Sequence, residues 1–354
     1  MNDVARITRD ASRERTLKSP AELAAAGLVD AARLPALEEV AARYAVAITP
    51  AMAELIQAGD AHDPIAAQFV PDAAELETRA EELADPIGDD VHEVTPGLVH
   101  RYPDRVLLKF VSACAVYCRF CFRRETVGPN GAGTLARDDL EAALAYIRGH
   151  AEIWEVIVSG GDPLVASPRR LADLMQAIGA IDHIKVVRFH TRVPVISPER
   201  VTHELIAALK ASGKATWVAI HANHPRELTA EARAAIACLA DSGIALVSQT
   251  VLLAGINDDP EVLGSLMRGF VECRVKPYYL HHPDLAPGTG HFRLPIARGR
   301  AVMKALRGRY SGLCQPTYVL DIPGGHGKVP VGPDHVGDGT VEDPNGRVHL
   351  YPPA

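Results

Sequence analysis

No stretch of this 354-residue chain approaches the roughly 18 uninterrupted apolar residues that a membrane span requires. Basic residues are not in excess: 37 Lys and Arg against 44 Asp and Glu leave a net charge of −7, without an electrostatic footprint for nucleic acid. Met1 to Lys18 is charged and polar and lacks the apolar centre of a secretory signal, so the expectation is a cytoplasmic protein. Six cysteines in a chain of this length, with no such signal, do not read as a disulfide framework. What remains is an ordinary globular balance, 47% hydrophobic and 23% charged, long enough for two or three small domains or one large α/β domain with an extension.

The most telling shortage is a fourth cysteine. Cys114-Ala-Val-Tyr-Cys118-Arg-Phe-Cys121 places three thiolates on one short loop, while Cys238, Cys273 and Cys314 lie far downstream in apolar segments. A zinc site favours four ligands and C-x2-C pairs, so it fits poorly. Three cysteines packed as small hydrophobes are the plain alternative. Soft sulfur donors at C-x3-C-x2-C suit three corners of a [4Fe–4S] cluster and leave one iron open. This spacing, with an aromatic residue before the third cysteine, resembles the radical S-adenosylmethionine (SAM) superfamily, in which the open iron chelates the methionine end of SAM.

Residues 1–95 read as a mainly helical extension, with Pro20 to Gly27, Leu34 to Ala47 and Pro50 to Ala58 as helical segments and breaks at Asp63-Pro and Asp85-Pro. From Arg105 the pattern changes to β-rich runs, each followed by a helical stretch. The runs are Arg105–Val111, Ile153–Ser159, Ile184–His190, Ala215–His221, Ile244–Thr250 and Arg274–Leu280. After the first gap their spacing is that of a strand–helix unit with a right-handed crossover, so the sheet should be parallel. Six units predict a partial, TIM-like (β/α)6 barrel over residues 96–336, with Pro316–Ile322 as a last strand-like run and 337–354 as a short C-terminal tail. Polar clusters sit in phase at the C-terminal ends of these runs, where such barrels build active sites. They are the cysteine loop, Ser159-Gly-Gly-Asp162, His190-Thr-Arg192, His221-Ala-Asn-His, Gln249 and His281-His-Pro-Asp284.

Taken singly, the remaining motifs are modest. Ser159-Gly160-Gly161-Asp162 is a strand-to-helix turn whose bare backbone could approach a ligand. Arg101, Tyr102 and Arg105 offer guanidinium forks suited to phosphate or, equally, a solvated charge run. Gly324-Gly-His-Gly-Lys328 is a glycine turn ending in a lysine that could form a Schiff base with an aldehyde. Together, from about Asp63 to Val336, they resemble the pyridoxal-phosphate (PLP) dependent radical SAM aminomutases, of which lysine 2,3-aminomutase is the type. His-Arg-Tyr-Pro-Asp-Arg105, Arg123-Arg124 after the cysteines, Asp284-Leu-x-x-Gly-x-x-His-Phe-Arg293 and Asp321-x-Pro-Gly-Gly-x-Gly-Lys328 carry the likeness.

The resemblance implies that Cys114, Cys118 and Cys121 hold the cluster, that Ser159, Gly160, Gly161 and Asp162 receive SAM, and that Lys328 carries PLP. Arg101, Tyr102, Arg105 and Gln249 would lie around PLP, Arg123 would meet the substrate α-carboxylate, and Asp284 and Asp321 would bind its distal ammonium. Charge supports the last pairing, since two carboxylates in a dry pocket repel unless a cation sits between them. The implied reaction moves an amino group between carbons 2 and 3 of L-lysine, starting from a radical released from SAM, with an electron donor such as flavodoxin or ferredoxin. Two departures stand out. No cysteine follows Cys314, so the expectation is a homo-oligomer without the C-terminal zinc site of the clostridial-type enzymes. His281 stands where the type has tyrosine, as in the shorter branch serving elongation factor P, although that branch lacks the Asp321-x-Pro-Gly-Gly turn. Another amino acid as substrate, a radical SAM enzyme without PLP, and an iron–sulfur binding module are the rival readings.

Overall fold

The computed structural model describes residues 15–128 and 133–351. A ten-stranded sheet runs through it in strict chain order. Its strands are β1 (Glu93–Thr95), β2 (Leu98–Tyr102), β3 (Arg105–Val111), β4 (Glu155–Gly160), β5 (Val186–Thr191), β6 (Ala215–His221), β7 (Ala245–Val251), β8 (Lys276–His281), β9 (Thr317–Ile322) and β10 (Gly327–Pro330). From β3 to β9 every neighbour is parallel; β1–β2–β3 and β9–β10 pair antiparallel. Six strand–helix units, β3 to β8, therefore form the expected partial barrel, and the sheet does not close on itself. The last strand-like run expected at Pro316–Ile322 is β9, which joins as a seventh parallel strand beside β8.

β4 is buried on both faces, with only the terminal Gly160 not buried, whereas β3 alternates buried and half-buried residues over most of its length. The crossover helices show one apolar stripe each. In helix Pro168–Gly179 the buried residues are Leu171, Leu174, Met175 and Ile178, one face of a 3.6-residue period. Its start is fixed by Ser167, whose hydroxyl accepts from the Arg170 N–H at 3.3 Å, with Pro168 in the first turn. Thr229 and Asp259 cap the helices Ala230–Asp241 and Pro260–Glu272 in the same way.

Among its described residues the N-terminal segment holds four short helices, Pro20–Ala25, Leu34–Arg43, Pro50–Leu55 and Ala66–Phe69, joined by loops and 3-10 turns, and the second and third end earlier than the sequence suggests. The second helix stops at Arg43 because Tyr44 turns extended, and Ile48 then pairs with Leu17 as an isolated bridge. These residues build no core of their own. Leu17, Leu23, Met52 and Phe69 belong to the same hydrophobic cluster as Val158, Leu280 and Tyr318 of the sheet. After β10, strands β11 (Val336–Gly337), β12 (Thr340–Glu342) and β13 (Val348–Leu350) form a small antiparallel sheet. Among the described residues no helix is long and apolar enough to cross a membrane.

Candidate active site

The C-terminal ends of the parallel strands surround a cavity of about 610 Å³, within the range of small-molecule sites. Every residue given a cofactor or substrate role from the sequence lines it. These are Cys114, Cys118 and Cys121; Ser159, Gly160, Gly161 and Asp162; Arg101, Tyr102, Arg105 and Gln249; and Arg123, Asp284, Asp321 and Lys328.

The cysteine loop leaves β3 and is pressed against the end of β4. The Gly161 N–H donates to Val111 O at 2.5 Å and the Asp162 N–H to Ala113 O at 2.9 Å. A Cβ on Gly161 would stand 2.2 Å from Ala113 O, and one on Gly160 would stand 2.2 Å from Val111 O, so only glycine permits this approach. The Asp162 carboxylate accepts from Leu164 N–H (3.0 Å), the Thr191 hydroxyl (2.7 Å), Arg192 N–H (2.7 Å) and Val193 N–H (3.2 Å). Both oxygens thereby tie β4 to β5. The Asp162 side chain, expected as a SAM contact, is taken up by the fold, which leaves the turn's backbone and Ser159 facing the cavity.

Burial pushes the Cys114 thiol well above its ordinary value, with Asp162 and the other two cysteines adding to the shift. It pushes Cys121 up to about 11, with Cys118 adding to it. Thiols buried in this way ionise side by side only with cations among them, which is the condition an iron–sulfur cluster meets. Among the described residues no three His, Cys, Asp or Glu side chains converge on a single-ion site. A cluster, in which each thiolate has its own iron, does not require that convergence.

Three acceptors from the N-terminal segment grip arginines around this loop. Glu75, fully buried, takes Arg119 through Nε at 2.9 Å and also contacts Arg124. Asp89 accepts from Arg123 Nη2 at 2.7 Å and from Arg101 Nη2 at 3.2 Å. Burial alone would raise the Asp89 pKa, but these two guanidiniums hold it below the usual carboxylate value. Gln68 accepts from Arg192 Nη2 at 2.6 Å.

Lys328 enters the cavity from β10, directly across the β9–β10 register from Asp321. Its ammonium contacts the Asp321 carboxylate and lies 3.4 Å from His281 Nδ1. Its backbone N–H donates to the Tyr102 hydroxyl at 2.8 Å. The glycine turn before it packs on the N-terminal segment: a Cβ on Gly88 would stand 2.2 Å from Gly325 N. Burial works against ionisation of Asp321, yet His281 and Lys328 hold its pKa well below the ordinary value. Asp284 goes the other way, to about 7, driven by burial and then by the neighbouring Asp321 charge. His281 is depressed to about 4 by burial and the Lys328 charge, so it is neutral in the resting site.

The fit to PLP rests on more than the lysine. Arg101 Nε is buried without a hydrogen-bond partner, a donor waiting for an anion. The Arg105 guanidinium lies 3.9 Å from the Tyr102 ring centroid, and Gln249 Nε2 lies 3.4 Å from His190 Nε2. Asp89, Gln68, Glu75 and Glu227 carry no signal in the sequence and are partners found only by long-range pairing. Arg192 belongs to a polar strand end that the sequence marks, without an assigned task.

The Radical SAM superfamily model matches residues 108–265. L-lysine 2,3-aminomutase of Acetoanaerobium sticklandii is 42% identical over 291 residues, covering 82% of this chain and 70% of its own. Glutamate 2,3-aminomutase of Clostridioides difficile is 36% identical over 300 residues, covering 85% and 70%. The solved structure of a radical SAM methyltransferase from Sphaerobacter thermophilus overlays at a TM-score of 0.45 with 19% identity, over 63% of this chain and 68% of its own, too partial a likeness to carry weight. A three-cysteine loop and a strand-borne lysine facing one cavity thus occur in a sequence that matches aminomutases over four-fifths of its own length and about seven-tenths of theirs, and the chain belongs to the lysine 2,3-aminomutase family of the radical SAM superfamily.

Proposed function

We propose that the chain is an L-lysine 2,3-aminomutase that interconverts L-lysine and β-lysine and depends on a [4Fe–4S] cluster, SAM and PLP. The observation that carries this reading is an ammonium already seated on the acidic pair: Lys328 Nζ contacts Asp321, and Asp284 adjoins them in the same cavity. With Lys328 holding PLP, its nitrogen would be drawn off Asp321, and the two carboxylates would be left for the distal ammonium of a lysine-sized substrate. A distal carboxylate would meet repulsion there, which favours lysine over glutamate. Arg123 would exchange Asp89 for the substrate α-carboxylate, a bidentate partner of the same kind.

In this reading Cys114, Cys118 and Cys121 hold the cluster, and Ser159, Gly160, Gly161 and the Asp162 backbone lie along SAM. Arg101, Tyr102, Arg105 and Gln249 surround PLP, with Arg101 Nε turned to its phosphate. When bound, the cluster supplies the electron that opens SAM to a carbon radical, and PLP supplies a π-system for the migrating nitrogen. The chain's own work is to hold three small molecules in register within one cavity and to keep water away from a radical. We further propose a cytoplasmic homo-oligomer, reduced by a flavodoxin or ferredoxin.

The test is anaerobic incubation of reconstituted protein with SAM, PLP, dithionite and L-lysine, scored for β-lysine by chromatography. Product that disappears in Cys118→Ala and Lys328→Ala supports the reaction and both cofactors. SAM cleavage without β-lysine would sink the assignment of Asp284 and Asp321 and point to another amino acid. No SAM cleavage at all would leave a binding module.

A further inference from the structure

The Arg192 guanidinium stands between the cysteine loop and two acceptors from distant parts of the chain. Nη1 donates to Cys118 Sγ at 2.9 Å. Nη2 donates to Gln68 Oε1 and to Glu227 Oε2, each at 2.6 Å. The guanidinium lies 4.6 Å from the Phe69 ring centroid and 5.6 Å from that of Phe120. Glu227 is fixed in turn by Gln68 Nε2 at 3.0 Å and by the N–H groups of Asn223 and His224, both at 2.9 Å. Arg192, Gln68 and Glu227 are 5%, 0% and 0% exposed. With every neighbour held, the guanidinium has one position, and an arginine is charged at any working pH.

We propose that Arg192 is a positioning residue that raises the reduction potential of the cluster through its hydrogen bond to Cys118, and that Gln68 and Glu227 hold it to that task. The inference rests on Cys118 being a cluster ligand. An added electron makes the cluster and its thiolates one charge more negative. A cation donating to one of those sulfurs stabilises the reduced form more than the oxidised form. Glu227 cancels the charge at long range, but the guanidinium is interposed between Glu227 and the sulfur, so the cation dominates at Cys118. No bond at Arg192 forms or breaks; the electron comes from the external donor and leaves on SAM. Part of the N-terminal segment thereby acquires a redox role, since Gln68 and Phe69 belong to it.

The experiment is a redox titration of the reconstituted holoprotein, followed by the electron paramagnetic resonance signal of the reduced cluster, alongside iron and sulfide content. Arg192→Gln alone leaves Glu227 buried and unpaired, so the double variant Arg192→Gln/Glu227→Gln is titrated beside it. We expect the double variant to keep its iron and lose about tenfold in the one-electron equilibrium constant, a midpoint about 59 mV more negative. Arg192→Lys should fall between it and the wild type, and Gln68→Ala should shift the same way by less. Wild-type potentials in both the double variant and Gln68→Ala, at full cluster content, would overturn the proposal. Wild-type protein that assembles no cluster would overturn it together with the reading of Cys118.

Discussion

Lys328 and Asp321 face each other because of strand register. A one-residue slip of β10 would send the amine to the other face of the hairpin. Lys328→Ala should fold, since the side chain is partly exposed and Asp321 keeps Arg101 and His281 within 4 Å, yet it should show none of the PLP absorbance band of the wild type. An unchanged spectrum would remove PLP from the site. The second expectation at this scale concerns pH. The Asp284 carboxyl sits near 7 while Asp321 is ionised far below that, so the acidic pair gains its second negative charge only as pH rises past neutrality. Affinity for a substrate ammonium should therefore weaken as pH falls from 8 to 6, by up to about tenfold per unit below the Asp284 pKa. His281, depressed to about 4, stays neutral across that window and does not contribute. Titration calorimetry with lysine should show proton release on binding near pH 7, and Asp284→Asn should abolish both effects; a wild-type affinity flat in pH would refute the assignment.

At the scale of elements, the glycines of β4 decide whether the cysteine loop can close. Gly160 has φ +115°, a conformation that costs a side chain about 1–3 kcal/mol even before the clash with Val111 O. Gly161→Ala adds a clash with Ala113 beside Cys114. Each variant should lose most of its iron after reconstitution while retaining far-ultraviolet circular dichroism, whereas full iron content would mean the loop tolerates displacement. Much of this level was legible in the sequence, because β-rich runs recur at a regular spacing and polar residues mark their C-terminal ends. The starts were less legible. Ile153 and Ile184 are buried yet lie ahead of β4 and β5, so hydrophobicity alone extends those strands too early. Arg274 is likewise outside β8, at φ +61° in the turn after the preceding helix. Apolar content marks burial; it does not mark where pairing begins.

For the whole molecule, the informative surprise is the N-terminal segment, whose polar residues have no motif and gain meaning only from partners far along the chain. Gln68 with Glu227, Glu75 with Arg119 and Asp89 with Arg123 are such pairs, and no local pattern predicts any of them. Glu75→Gln would leave the Arg119 and Arg124 side chains, 2% and 4% exposed, without their counter-charge. The expected loss is about 3–5 kcal/mol, read as a clear drop in the anaerobic unfolding midpoint, and a change within error would show that Glu75 is not the anchor. The sheet, laid down strand beside strand in the order of synthesis, also imposes a schedule. During translation the three cysteines emerge on the loop after β3, while Asp321 and Lys328 arrive on the final two strands of the same sheet. A nascent chain stopped before Thr317 already carries Cys114, Cys118 and Cys121 and still lacks Asp321 and Lys328, so on the proposed assignment the cluster could be loaded before PLP has its lysine.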